Sequence, residues 1–171
     1  MVKELRRSGK PEHTAASRRE HLEQERIHLL HKQSWIGILA SVVNAFLLAY
    51  LLRGQIAPEL LAAWLAAAIL LATARALLVY YFPRDRFSFD TARRWARWNV
   101  VSLGISGILW GAGAWLLFPI HSVQHQVFLI VVLYGMVAGA AMAFASMLRA
   151  FFAFSLPATL ALCLRLLTLP E

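Results

Sequence analysis

The chain has 171 residues, is 60% hydrophobic and carries only 15% charged residues, with a mean hydropathy of +0.60. Soluble domains average about 45–50% apolar and about 25% charged, so this composition excludes an ordinary water-soluble fold. The net charge of +8 does not point to nucleic acid, because the basic residues fall into separate groups: eight precede Trp35 and five lie between Arg84 and Arg97. Long apolar runs part these groups, which is how the cytoplasmic flanks of membrane helices look.

Met1 to Ser17 is polar and mixed in charge, and reads as a disordered cytoplasmic tail. From Arg18 to Ser34, Leu22, Arg26, Leu29 or Leu30 and Gln33 follow helical spacing. The spacing predicts an amphipathic juxtamembrane helix on the inner leaflet; a solvated helix or a short dimer contact would share the pattern. Five predicted spans follow, at residues 35–52, 60–82, 100–118, 127–146 and 150–167, each near the roughly 20 residues that a bilayer requires. Trp35 and Tyr50 mark the ends of the first span, and Asn44 is the polar residue inside it. Pro83 ends the second, and Arg84 to Arg97 reads as a loop. The uncharged segment from Pro119 to Gln126 joins the third span to the fourth. A single helix from Val127 to Leu167 would be about 62 Å long, roughly twice the hydrocarbon thickness, so a turn is required near Met147 to Arg149. Pro157 is expected to kink the last span. The fold class is therefore all-α, a polytopic transmembrane bundle of about five spans plus the N-terminal amphipathic helix.

Two rows of small residues stand out. The third span carries Gly104, Gly107 and Gly111, followed by Gly113; the fourth carries Gly135, Gly139 and Ala143. In lipid, such rows let helix backbones approach closely, because association depends on van der Waals fit. Packing within the bundle is the plainer use of the rows, and a homodimer seam is the other.

Basic residues favour the cytoplasmic side. The basic tail and the five-arginine loop therefore set the N-terminus inside, in a multi-pass arrangement. Five spans then leave Glu171 outside, and a sixth helix in a longer protein is expected.

Few residues offer chemistry. Arg75 is the one charge well inside the first four spans, where it costs about 2.5–3.5 kcal/mol on insertion scales. Its stem is long enough to snorkel to the inner headgroups; otherwise its partner is Asn44, Ser102, Ser106, a carbonyl or a ligand. His121 and His125 would face one way if their loop is helical, as a titrating pair or a weak metal site, but solvated loop histidines are the plainer reading. His28 and His31 stand in the juxtamembrane helix. Trp110 and Tyr134 are packing residues or pocket walls, Arg165 is expected to reach the outer headgroups, and Cys163 reads as a small hydrophobe. No catalytic constellation, cofactor motif or dedicated metal site is present in the sequence. The remaining classes are a membrane input module, a small transporter or channel, and a non-catalytic scaffold subunit.

Several segments together resemble a known bacterial architecture. These are ERIHLLHKQS (Glu25 to Ser34), the first two spans, SGILWGAGAWLLFP (Ser106 to Pro119), the fourth span and FFAFSLPATLAL (Phe151 to Leu162). They resemble the multi-span input region that stands N-terminal to cytoplasmic GGDEF, EAL or histidine-kinase output domains, often through a PAS domain. The resemblance implies a sensory module in the lipid bilayer, with an output domain in cis for cyclic-di-GMP turnover or a phosphorelay. None of those output motifs occurs in this sequence.

Overall fold

The structure, a computed structural model, describes residues 34–81, 89–144 and 147–168. The expected tail, the juxtamembrane helix up to Gln33 with His28 and His31, and the break at Pro83 lie outside these residues. Five helices make up the described chain: α1 (Ser34–Leu51), α2 (Pro58–Tyr80), α3 (Phe89–Leu116), α4 (Val123–Ala143) and α5 (Leu148–Leu167). All five are long and apolar enough to cross a membrane, α3 through its part from Arg97 onward. Their outward faces present Leu39, Phe46, Leu70, Ile108, Val131 and Leu160. Such a surface suits lipid, where a helix satisfies its own backbone and need not hide apolar side chains.

Local chemistry sets the helix ends. α1 closes in a tight turn in which Gly54 adopts φ +80, a conformation that costs glycine nothing. Pro58 then opens α2, where its missing N–H is no loss. Pro119 interrupts the chain between α3 and α4, and the Ser122 amide donates back to its carbonyl at 3.2 Å.

Several boundaries differ from expectation. α3 starts at Phe89 and absorbs much of the arginine-rich segment expected as a loop; no Gly or Pro interrupts residues 89–103, so nothing stops the helix from starting early. α4 starts at Val123, inside the expected third loop. The turn expected at Met147 to Arg149 comes earlier: the Met147 amide donates to the Phe144 carbonyl at 2.8 Å, and Leu148 and Arg149 are already helical. α5 runs on through Pro157.

The bundle is built on α3 and α5, the most extensively packed pair among α2 to α5. Gly104 faces Ala153, Gly107 faces Phe154, and Gly111 faces Pro157 and Ala161. The matching order shows that the two helices run parallel. A methyl group on Gly107 would strike the Phe154 backbone, and one on Gly111 would lie 2.7 Å from the Pro157 carbonyl oxygen. Pro157 also leaves the Ala153 carbonyl without its usual helical donor, and Gly104 is the residue that faces it.

α2 joins this pair through Trp64, whose indole sits where a side chain on Gly113 would be, 2.5 Å from the Cβ position. Its Nε1–H donates to the Leu109 carbonyl at 3.1 Å, and its ring meets Trp110 edge-on at 5.3 Å. Trp110 in turn donates to the Ser41 hydroxyl of α1 at 3.2 Å. The two indoles thus tie α1, α2 and α3 together.

Candidate functional site

Arg75 lies five residues before the end of α2 and is 6% exposed. It does not reach along α2 toward the nearer membrane surface. In a helix the Cα–Cβ bonds tilt toward the N-terminus, and α2 begins at the far end of the bundle, so the side chain starts out directed inward. Its guanidinium donates to the Ser106 hydroxyl at 3.4 Å, and Ser106 donates onward to the Ser102 carbonyl at 2.9 Å. The snorkelling geometry is therefore not the one adopted.

No carboxylate of the described helices is near. α1, α4 and α5 contain no Asp or Glu. Glu59 begins α2, sixteen residues before Arg75, and Asp90 begins α3, sixteen residues before Ser106; each separation is about 24 Å along its helix. A guanidinium carries five donors and its charge at neutral pH, and a single long hydrogen bond to a hydroxyl leaves that charge without a counter-ion among the described residues.

Arg75 lines a cleft of about 130 Å³ in the half of the bundle that contains Ser34. One wall is α1, with Gly37, Ala40, Ser41 and Asn44; the other is α4, with Gly135, Gly139, Ala140 and Ala143. Leu103 and Phe154 line it from α3 and α5. Gly135, Gly139 and Ala40 are exposed, so the cleft opens sideways toward lipid. Asn44 is half-buried, and its amide donates to the Met136 sulfur at 3.1 Å across the two walls. A second hollow of about 10 Å³, lined by Ser41, Arg75, Ser106 and Trp110 among others, has room for one water at most.

Arg75 and Asn44 meet in this cleft, with Ser106 as the arginine's partner. His121 and His125 are at the opposite end of α4 and form no pair on one helical face: His121 is in the turn and exposed, and His125 Nδ1 is 2.6 Å from the Ser122 hydroxyl. Among the described residues no group of three or more His, Cys, Asp or Glu side chains is placed to hold a metal. Gly104, Gly107 and Gly111 seat α5, whereas Gly135 and Gly139 seat no described helix, contrary to the expectation of bundle packing: a Cβ on either would meet nothing within 4 Å. Trp110 is a core residue, Tyr134 faces outward, and Cys163 is exposed. Arg165 lies over the rings of Trp115 and Phe118 at the end of α3, at 5.5 and 5.6 Å.

Comparison with protein-family models, curated proteins and solved structures gives no match. Function must be argued from the cleft itself. Its α1 wall was readable in principle, since Gly37, Ala40, Ser41 and Asn44 recur at the helical spacing already noted in α3 and α4. What the pattern lacks is any sign that this face and the Gly135 face oppose each other.

Proposed function

We propose that this chain is the membrane-embedded sensory or regulatory input module of a bacterial signal-transduction protein, held in the inner membrane with its N-terminus in the cytoplasm. One observation carries the reading: two small-residue helix faces stand apart around a buried arginine that has no counter-ion among the described residues. An unpaired intramembrane charge is expensive and marks a functional site by default. Walls of Gly37, Ala40, Gly135 and Gly139 have no bulky side chains to bar a closer approach of α1 and α4. A ligand that occupies the cleft favours the parted arrangement, and a difference in affinity between the two arrangements is all that a switch requires. α1 carries that change toward the cytoplasmic N-terminal segment, and the resemblance of the segments from Glu25 to Leu162 to signalling input regions supplies the kind of output, cyclic-di-GMP turnover or a phosphorelay.

The test is output measured in cells that express the complete reading frame, with Arg75 or with Arg75→Met. The variant is expected to hold cyclic-di-GMP or phosphorelay output at one level under conditions in which the wild type varies. Proteoliposomes containing the chain are expected to show no solute flux. Flux that disappears in Arg75→Met would replace this reading with a small transporter.

A further inference from the structure

We infer that the cleft binds an anionic amphiphile: an acyl chain whose carboxylate or phosphate group meets Arg75 while the chain leaves along the Gly135–Gly139 face. This names the ligand class of the same cleft and rests on the proposed function for its consequence. Binding itself is argued from three independent features.

The first is charge. Arg75 is 6% exposed, its one hydrogen bond is to a neutral hydroxyl, and no acid of the described helices can reach it. A group with a full negative charge and two or more acceptor oxygens is what a guanidinium fork matches. The second is size. A cavity of about 150 Å³ is known to hold a benzene molecule, so about 130 Å³ takes an acidic group with its first few methylenes. A helix, about 10–12 Å across with its side chains, does not fit. The third is access. Ala40, Gly135 and Gly139 are exposed at the mouth, so a ligand can enter from the bilayer while its acyl chain stays in an apolar surrounding.

The competing occupant is a second copy of this chain, seated on the Gly135 face. Its spans would bring no carboxylate to Arg75, because Glu59 and Asp90 stand in first turns and α1, α4 and α5 have none. A dimer there would bury the arginine further without neutralising it. Charge therefore favours the amphiphile.

The experiment uses the whole chain in lipid nanodiscs and photoreactive probes: a C16 fatty acid and a phosphatidylglycerol, with a C16 alcohol and a phosphatidylcholine as neutral controls. The acidic probes are expected to label residues 36–44 and 135–144, with half-saturation shifted roughly tenfold or more in Arg75→Gln. The neutral probes are expected to show no dependence on residue 75. Gly139→Leu keeps the arginine but fills the cleft, and labelling of both walls should be lost in a variant that still folds. Labelling by the fatty acid alone identifies a free carboxylate as the ligand group, and labelling by phosphatidylglycerol alone identifies a phospholipid headgroup. Equal labelling by acidic and neutral probes, unaffected by Arg75→Gln, overturns the inference. So does efficient disulfide dimerisation through Gly139→Cys in a Cys163→Ser background, which would place a second copy on the face. If acidic probes fail to bind while output still depends on Arg75, the ligand class is wrong and the sensory reading survives. If they bind and output is indifferent, binding stands and the sensory reading falls.

Discussion

In α3, Gly104, Gly107 and Gly111 lie so close to α5 that a single methyl group at the second or third position would collide with backbone. In α4, Gly135 and Gly139 repeat nearly the same spacing, and a methyl group on either would touch nothing within 4 Å. The difference lies in what each row faces. Opposite α3 stand Ala153, the Phe154 backbone, Pro157 and Ala161, where α5 offers little side-chain bulk and a carbonyl freed by proline. Opposite α4 stands the equally small face of α1, and the cleft that Met136, Phe144 and Phe154 also line lies between the two. A small-residue row permits close approach; whether the approach happens is decided by what stands opposite it.

The sharpest way to break this comparison is Gly107→Ala. The obstacle is the Phe154 backbone, which cannot rotate away as a side chain would, so a loss of about 3 kcal/mol is expected, at the upper end of typical overpacking effects. Unfolding of the purified chain in mixed micelles would measure it. A change no larger than that for Gly139→Ala would mean that the two rows do not differ as described.

Arg75→Met probes the other half of the contrast, the cleft floor. A mid-span arginine costs about 2.5–3.5 kcal/mol on insertion scales, so with an apolar side chain of similar length a gain of about 1–2 kcal/mol is expected in the same unfolding measurement. A gain in stability coupled to a loss of amphiphile labelling would be the signature of a group kept for binding. A comparable loss of stability would make Arg75 a packing residue held by Ser106.

Trp64→Phe should cost less, about 1 kcal/mol, for the lost hydrogen bond to the Leu109 carbonyl. That carbonyl keeps its helical donor, so no buried acceptor is left bare. Intrinsic tryptophan emission and unfolding would be followed together. A cost as large as that for Gly107→Ala would shift the centre of the bundle's stability from the α3–α5 contact to the indole cluster.

The five spans were legible because hydropathy in lipid is a strong one-dimensional signal, and each predicted span falls on one of the five helices. The ends were less legible. Arg93, Arg94 and Arg97 look like loop residues by charge, but arginine is a good helix former, and α3 runs back through them to Phe89. The site was half legible. Arg75 and Asn44 stood out as polar residues in apolar runs, and Ser106 was among the partners open to the arginine. The cleft was not, because it depends on which helix faces which, and apolar sequence with glycine at every third or fourth place is compatible with many pairings. His121 and His125 were misleading for a local reason: the helix starts between them, at Val123, so their spacing of four never becomes one face.

Gly139→Ala is the smallest expected effect and the most informative about the open row. With nothing to collide with, the added methyl brings only alanine's better helix propensity, a gain of less than about 1 kcal/mol. The opposite signs expected for Gly107→Ala and Gly139→Ala follow from one difference, a backbone carbonyl in the way of the first and open space before the second. A clear destabilisation at Gly139, especially one that fades on dilution of the protein in detergent, would show that the face is covered by another copy. The two rows would then do the same work, one within the chain and one between chains, and Arg75 would need a different explanation.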